Sequence, residues 1–287
     1  MPGYLLINKP VGPTSHDIVD RVRRMTGEKR VGHAGTLDPF ASGLLIVGVG
    51  REATREFARL VGLDKHYMAT LHLGGTSDTD DRTGVISATP ASLSVTPAEA
   101  GVQSVLGGET DDQAMIGSPM ALGDDNKKIK AVLKKFTGKI MQLPPMYSAK
   151  KIHGKKMYEL ARERKTFERQ PVEVEIYSMN IVNYSLPPTH YSLVLEIHCS
   201  SGTYIRALAR DIGEALGCGA YLEELERTAV GPFKLEESVK ADELNKDNWE
   251  KYLLSPVSVI AKSESLDTAR DERRGDPAAE IALRRLD

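Results

Sequence analysis

Gly32-His33-Ala34-Gly35-Thr36-Leu37-Asp38-Pro39, followed by Gly43-Leu44-Leu45, decides how the chain is read. It sets one carboxylate in a short turn between glycines, ahead of an apolar run that ends at Val49. Pro39 fixes its own φ and biases Asp38 toward extended backbone, so the carboxylate is held in a narrow conformational range. Such stiffness suits a side chain that must meet a reacting atom. On its own an Asp-Pro pair more often just closes a loop before a strand, so the weight of the reading falls on the residues around it.

Apolar runs rich in β-branched residues predict strands near Tyr4–Asn8, Gly43–Val49, His66–Leu73, Val172–Val182 and Tyr191–His198. Between them, helical spacing puts Ile18, Val19, Val22 and Met25 on one face, behind a cap at Thr14 or Ser15 and ahead of a stop at Gly27. Further helices are expected over about Glu52–Val61, over Lys127–Phe136, and from near Thr203 with Ile205, Leu208, Ile212 and Leu216 inward. This alternation indicates an α/β or α+β domain.

The 287 residues carry 38 Lys and Arg against 40 Asp and Glu, a formal charge of -2, and that balance alone argues against a nucleic-acid partner. Its distribution argues the reverse. From Thr76 to Asn126 nine acids face one Arg, whereas from Lys127 to Gln170 fourteen Lys or Arg face three Glu, a local charge of +11. A stripe of that size holds a phosphate backbone whatever the global charge. Cys199 and Cys218 lie far apart with no C-x-x-C pair, so neither a disulfide framework nor a zinc site is indicated. No apolar run is long enough to span a bilayer and no leader precedes Tyr4-Leu5-Leu6-Ile7, so the expected location is the cytoplasm.

Taken with its neighbours, the Asp38 turn resembles the catalytic motif of the TruB family of tRNA pseudouridine synthases. Ile7-Asn8-Lys9-Pro10-Val11-Gly12 with Thr14-Ser15 matches that family's first block, and Lys65-His66-Tyr67 its Lys-x-Tyr block. Gln142-Leu143-Pro144-Pro145-Met146-Tyr147-Ser148-Ala149-Lys150-Lys151 matches a further block and Ser201-Gly202-Thr203-Tyr204-Ile205-Arg206 the last, all in the family's order. The resemblance implies the pseudouridine synthase fold, a central mixed, largely antiparallel sheet flanked by helices. It implies an isomerase, without cofactor, that acts on the uridine at position 55 in the T-loop of tRNA. The N1–C1′ bond breaks, the base turns, and its C5 joins the same sugar carbon. The implied partner is tRNA, through its T-arm, with no membrane, guide RNA or obligate protein partner, and with the enzyme a monomer. The Pro-rich block followed by His153-Gly154 is similar to the stand-alone bacterial branch.

By resemblance Asp38, Tyr67 and Arg206 form the catalytic set. The Asp38 carboxylate either adds to C6 of the base or attacks or stabilises an electron-poor C1′, and these routes and a glycal variant stay open. Arg206 falls in the first turn of its helix, where the dipole disfavours a cation, so it calls for an anionic partner. A bidentate pair with Asp38 would orient that carboxylate and hold its pKa low. Tyr67 offers an aromatic face to the base, and a phenol of ordinary pKa near 10 is a poor base, so stacking is its firmer assignment. His33 is implied to fill the space left by the extruded uridine. Lys9, Lys65, Tyr204, Tyr147, Lys150 and Lys151 complete the implied substrate contacts, and no metal ligand set is expected.

On this reading residues 1–262 form the catalytic domain, with an acidic stretch of low periodicity at 91–125 expected as a mobile insertion. Residues 263–287 alternate opposite charges and are expected as a flexible tail, too short for the RNA-gripping PUA domain many relatives append. Two other readings compete. Gly48-Val49-Gly50-Arg51-Glu52-Ala53 has the G-x-G-x-x-A form of a dinucleotide loop in an oxidoreductase. A basic surface alone would suit a non-catalytic protein that helps tRNA fold. Asp78, Asp80 and Asp81 have the look of a calcium loop, but Arg82 and Thr89 stand where ligands are needed.

Overall fold

The structure, a computed structural model, describes residues 1–89, 122–146, 151–152, 155–156, 169–185 and 191–264. Its strands are β1 (Gly3–Lys9), β2 (Val31–His33), β3 (Ser42–Val49), β4 (Lys65–Leu73), β5 (Gly75–Ser77), β6 (Ile86–Ala88), β7 (Gly138–Gln142), β8 (Lys151–Ile152), β9 (Lys155–Lys156), β10 (Val172–Ser185), β11 (Ser192–Cys199), β12 (Ala220–Val230), β13 (Phe233–Lys234) and β14 (Val239–Lys240). Its helices are α1 (Ser15–Thr26), α2 (Gly50–Arg55), α3 (Phe57–Gly62), α4 (Leu122–Lys135) and α5 (Ile205–Leu216), and residues 256–264 form a last one, α6.

Ten strands make one mixed sheet in the order β14-β1-β3-β12-β4-β11-β10-β7, with β2 beside β3 and β13 beside β12. The pairs β1–β14 and β3–β12 run parallel. All other pairs in that sheet are antiparallel, as the resemblance implied.

Local chemistry accounts for the helix that leads into the site. The Thr14 hydroxyl accepts from Asp17 N while the Asp17 carboxylate accepts from Thr14 N, a reciprocal cap, and Gly27 closes α1 at φ 72. The buried face of α1, Ile18, Val19 and Val22, packs with Trp249 on Leu5, Ile7, Leu45 and Val47. Across the sheet Tyr4, Leu6, Leu44 and Ile46 meet Ala53, Leu60, Phe233 and Val259, so β1 and β3 are covered on both faces. Such strands read as continuous apolar runs, which is why Leu44–Val49 shows no alternation. Strand β4 does alternate: Tyr67, Ala69, Leu71 and Leu73 face Leu208, Ile212, Ile129 and Val132 of α5 and α4, while His66, Met68, Thr70 and His72 are only half-buried on the other face.

Several boundaries differ from the sequence reading. The helix expected over Glu52–Val61 is two short ones broken at Glu56, where the backbone leaves helical geometry. Helix α4 starts at Leu122, so residues 122–125 belong to it and not to the acidic insertion, whose remainder lies outside the described residues. Ser263 is buried within α6 and Glu264 pairs with Arg59 at 2.8 Å, so these two residues of the tail expected over 263–287 belong to the folded part, and the rest of that range lies outside the described residues. Strand β12, at the centre of the sheet, was not expected at all. The dinucleotide-loop glycines serve packing: a Cβ on Gly48 would sit 2.8 Å from the Phe57 ring, and Gly50, at φ +84, lies against Pro2. Among the described residues no helix is long and apolar enough to cross a membrane.

Candidate active site

Four segments converge on one cleft of about 260 Å³: the turn 35–38 between β2 and β3, Lys65 and Tyr67 at the head of β4, the loop 200–206 entering α5, and Leu225 with Arg227 on β12. Asp38 stands in its wall. Its carboxylate is held side-on by Arg206, with Nε 3.0 Å from Oδ2 and Nη2 donating to Oδ1 at 3.4 Å. Asp38 keeps 36% of its side-chain surface exposed, whereas Arg206 keeps 8%. The arginine is therefore the fixed partner, and the carboxylate presents its free edge to the cleft.

What fixes Arg206 is a second carboxylate that the sequence reading weighed only as a calcium ligand. Arg206 Nη1 donates to Asp81 Oδ2 and to the Thr79 carbonyl, each at 3.2 Å. Asp81, 4% exposed, is itself held by Thr79 Oγ1 at 2.9 Å and by Thr83 N at 2.9 Å. Next to it Asp80, at φ 62, accepts from Arg210 Nη1 at 2.9 Å. Two of the three aspartates weighed as a calcium loop, Asp80 and Asp81, thus carry guanidinium partners from one face of α5. Their i, i+4 spacing, Arg206 and Arg210, is the signal that pairs with Asp80-Asp81.

The Asp38 turn is braced from below. Ser15 Oγ accepts from Leu37 N at 2.9 Å and donates to Leu37 O at 3.0 Å, and Gly12 N donates to Pro39 O at 2.8 Å. Lys9, fully buried, donates to the Pro10 and Pro13 carbonyls at 2.8 and 2.9 Å. Its position makes it a pin for this loop, with no surface left for a phosphate. Lys65 is similar: 6% exposed, it donates to the Val61 and Leu63 carbonyls. Desolvation lowers both ammonium groups to about 8.

Burial acts on Asp38 in the opposite direction from the one expected. Desolvation raises its pKa above the ordinary carboxylate value; Arg206 lowers it, Asp81 raises it and Lys9 lowers it, and the net direction is up. Arginine binding here offsets a desolvation cost without overcoming it.

Tyr67 is buried beside Arg227, its direct cross-strand partner. Desolvation raises the phenol, opposed by the charge of Arg227 and by a hydrogen bond from it. Arg227, 1% exposed, also donates to Leu44 O at 2.8 Å, Gly35 O at 3.1 Å and Thr36 O at 3.4 Å, tying the tyrosine to the Asp38 turn. Its other neighbour is Gly43, at φ +105, where a Cβ would fall 2.4 Å from the Arg227 carbonyl oxygen. Only glycine lets β3 and β12 approach this closely.

Tyr204 lines the cleft as the residue before α5, its N–H donating to Gln142 Oε1 at 2.8 Å and its carbonyl accepting from Gln142 Nε2 at 3.0 Å. Gln142 is fully buried at the end of β7, where an amide in a strand is the only sequence signal of that job. His33 ends β2 and is not among the residues that line the cleft; its Nδ1 is buried with no hydrogen-bond partner among the described residues, and desolvation lowers its pKa. Tyr147 and Lys150 lie outside the described residues, as does the side chain of Lys151.

A carboxylate clamped by arginine in the wall of a cleft that a buried tyrosine lines, on a mixed sheet of this order, is the arrangement that the resemblance to a pseudouridine synthase, an isomerase, implied. Comparison with known proteins names the branch. Residues 23–111 and 102–205 match the TruB family pseudouridylate synthase N-terminal domain, and 206–259 the tRNA pseudouridylate synthase B C-terminal domain. The chain belongs to the TruB family. It is 38% identical to the tRNA pseudouridine synthase B of Geobacter sulfurreducens over 96% of its length and 83% of that protein's. With the enzyme of the same name from Thermosipho melanesiensis it shares 40% over 91% of this chain and 74% of the other. Among solved structures it is similar to a chain of a Cbf5-Nop10-Gar1 complex, with a TM-score of 0.57 and 27% identity over 86% of its length. The match spans about half of that longer chain, 54%.

Proposed function

We propose that this enzyme isomerises the T-loop uridine of tRNA, position 55, to pseudouridine, with Asp38 as the nucleophile. The observation that carries the reading is the side-on grip of Arg206 on Asp38, which leaves the outer edge of the carboxylate facing the cleft. Extruded from the loop, the uridine enters between Tyr67 and Asp38. Asp38 then adds to C6 or attacks C1′ as the N1–C1′ bond breaks; the base turns, C5 bonds to C1′, the bond to Asp38 is released, and the proton lost from C5 is matched by one taken up at N1. No atom is gained or lost overall.

Arg227 and Tyr67 hold the floor of the cleft, and the raised pKa of the phenol suits packing against the base more than proton abstraction. Asp81 orients Arg206 and, through it, Asp38. Exposed lysines of α4, Lys127, Lys128, Lys130, Lys134 and Lys135, take the phosphate backbone together with the basic stretch that follows. The relatives named for tRNA support the choice of substrate. In support of one catalytic unit, β12 and α5 from the C-terminal half build the same cleft as the Asp38 turn.

The test is base-resolved mapping of pseudouridine in a full tRNA transcript, and in one with cytidine at position 55, after incubation with pure protein. Conversion at that uridine alone is expected. Conversion at other uridines with none there would refute the T-loop assignment, and no conversion in any RNA would favour the RNA-folding alternative.

A further inference from the structure

On the face of the sheet that α4 and α5 leave uncovered, three side chains with metal-ligating atoms come together. His66 on β4 and His198 on β11 are direct cross-strand partners, and their rings stack with centroids 3.9 Å apart, 12° from parallel. Asp64, the residue before β4, places Oδ2 2.5 Å from His198 Nε2. One donor atom from each of the three lies within 4.8 Å of the other two. The reaction uses none of them, because Lys65 and Tyr67, between and beyond them in sequence, point to the cleft on the opposite face.

We propose that Asp64, His66 and His198 bind a divalent transition metal of the zinc class. Two imidazoles and one carboxylate are the donors such an ion prefers, whereas calcium and magnesium call for oxygen alone. Three protein ligands leave a position for water. The side chains of His198 and Asp64 are 27% and 19% exposed, and the Tyr177 ring tilts against His198 at 4.8 Å, so an aromatic ring flanks the cluster and its donors remain within reach of an entering ion.

Bonds of about 2.0–2.2 Å to a tetrahedral centre set donor separations of roughly 3.3 Å. The Asp64–His198 contact therefore opens by rather less than 1 Å and the His66 ring turns out of its stack toward the carboxylate, movements of side chains alone. An Asp–His hydrogen bond with a second ring stacked on it is what the same atoms make without an ion. That arrangement leaves two ionisable rings face to face, and a shared metal relieves it.

The site sits at a structural corner. The Asp64 carbonyl accepts from Gly231 N at 2.9 Å, and Val61, whose carbonyl accepts from Ser201 Oγ at 2.7 Å, lines the catalytic cleft with Lys65. A bound ion would tie this corner to β11 and stiffen one wall of the cleft, stabilising the protein without taking part in turnover.

The experiment uses the full chain, stripped with a chelator and titrated with Zn²⁺ by calorimetry and with Co²⁺ by visible absorption. One ion per chain, the strong absorption of tetrahedral Co²⁺ and a higher Tm with Zn²⁺ are expected. His66→Gln and His198→Gln should each weaken binding at least about tenfold, while His72→Gln, further along the same face, leaves it unchanged. Anomalous scattering at the zinc edge from a soaked wild-type crystal tests the site without any substitution. A peak among the three side chains supports the proposal. No uptake by the wild-type chain, a peak elsewhere, or unchanged affinity in both folded variants overturns it.

Discussion

Arg206→Lys keeps the positive charge and removes the fork. The native guanidinium spends three nitrogens on two carboxylates and a carbonyl, Nε and Nη2 on Asp38 and Nη1 on Asp81 and Thr79. A single tetrahedral ammonium on a flexible stem, without the planar fork, cannot sit at both carboxylates. It should stay with Asp81, the more deeply buried of the two, because leaving that charge unpaired costs most. Asp38 then loses both its contacts and swings. A misplacement of about 1 Å at a reacting group costs roughly 10² in rate, which is about 2.7 kcal/mol of barrier. Stability should drop less, on the order of 2 kcal/mol, since two charge-assisted contacts on a partly exposed, solvent-screened carboxylate are together worth about that.

The assay is single-turnover release of tritium from T-arm RNA labelled at C5 of uridine, with enzyme in excess, alongside a Tm measurement. We expect the rate of the chemical step to fall about 100-fold with RNA affinity within roughly threefold of wild type. A rate within about threefold of wild type in a folded variant would refute the clamp as the device that positions Asp38.

Asp38→Asn should abolish turnover while tRNA binding, measured by filter retention, stays within about tenfold, because the amide keeps the shape and loses the nucleophilic charge. Because the pKa of Asp38 is raised and the ionised form is the reactive one, kcat/KM should increase with pH along an acid limb lying above the ordinary carboxylate value of about 3.9. Since Arg206 lowers that pKa, Arg206→Gln should move the limb to higher pH in its residual activity. Neutralising Lys127, Lys130 and Lys134 on the exposed face of α4 should weaken tRNA binding and flatten log K against log salt by about 0.7–0.9 per lost phosphate contact; an unchanged slope would take that face off the RNA. Gly43→Ala, which drives a Cβ into the Arg227 backbone at φ +105, should cost about 3 kcal/mol or more by urea unfolding, and a cost under about 1 kcal/mol would mean the two strands can part.

Short-range physics made much of this molecule readable before its fold was known. The capping pattern at Thr14 and Gly27, the period-2 run of β4 and the Pro-stiffened Asp38 turn all depend on neighbours within a few residues, and each stands where the sequence puts it. Motif spacing also brought Asp38, Tyr67, Arg206 and Tyr204 to one place. Tertiary structure alone decided the rest. Strand β12 reads Ala-Tyr-Leu-Glu-Glu-Leu-Glu-Arg-Thr-Ala-Val, with charge enough to hide a central strand, because its partners on both sides supply the burial. Arg227 became the partner of Tyr67, and His66 of His198, through strand register across separations of more than 130 residues, and Asp81 met Arg206 through the packing of α5. Local sequence cannot encode such pairs, because they are chosen only when β4, β11, β12 and α5 bury their apolar faces together and the register that buries them carries the polar residues along.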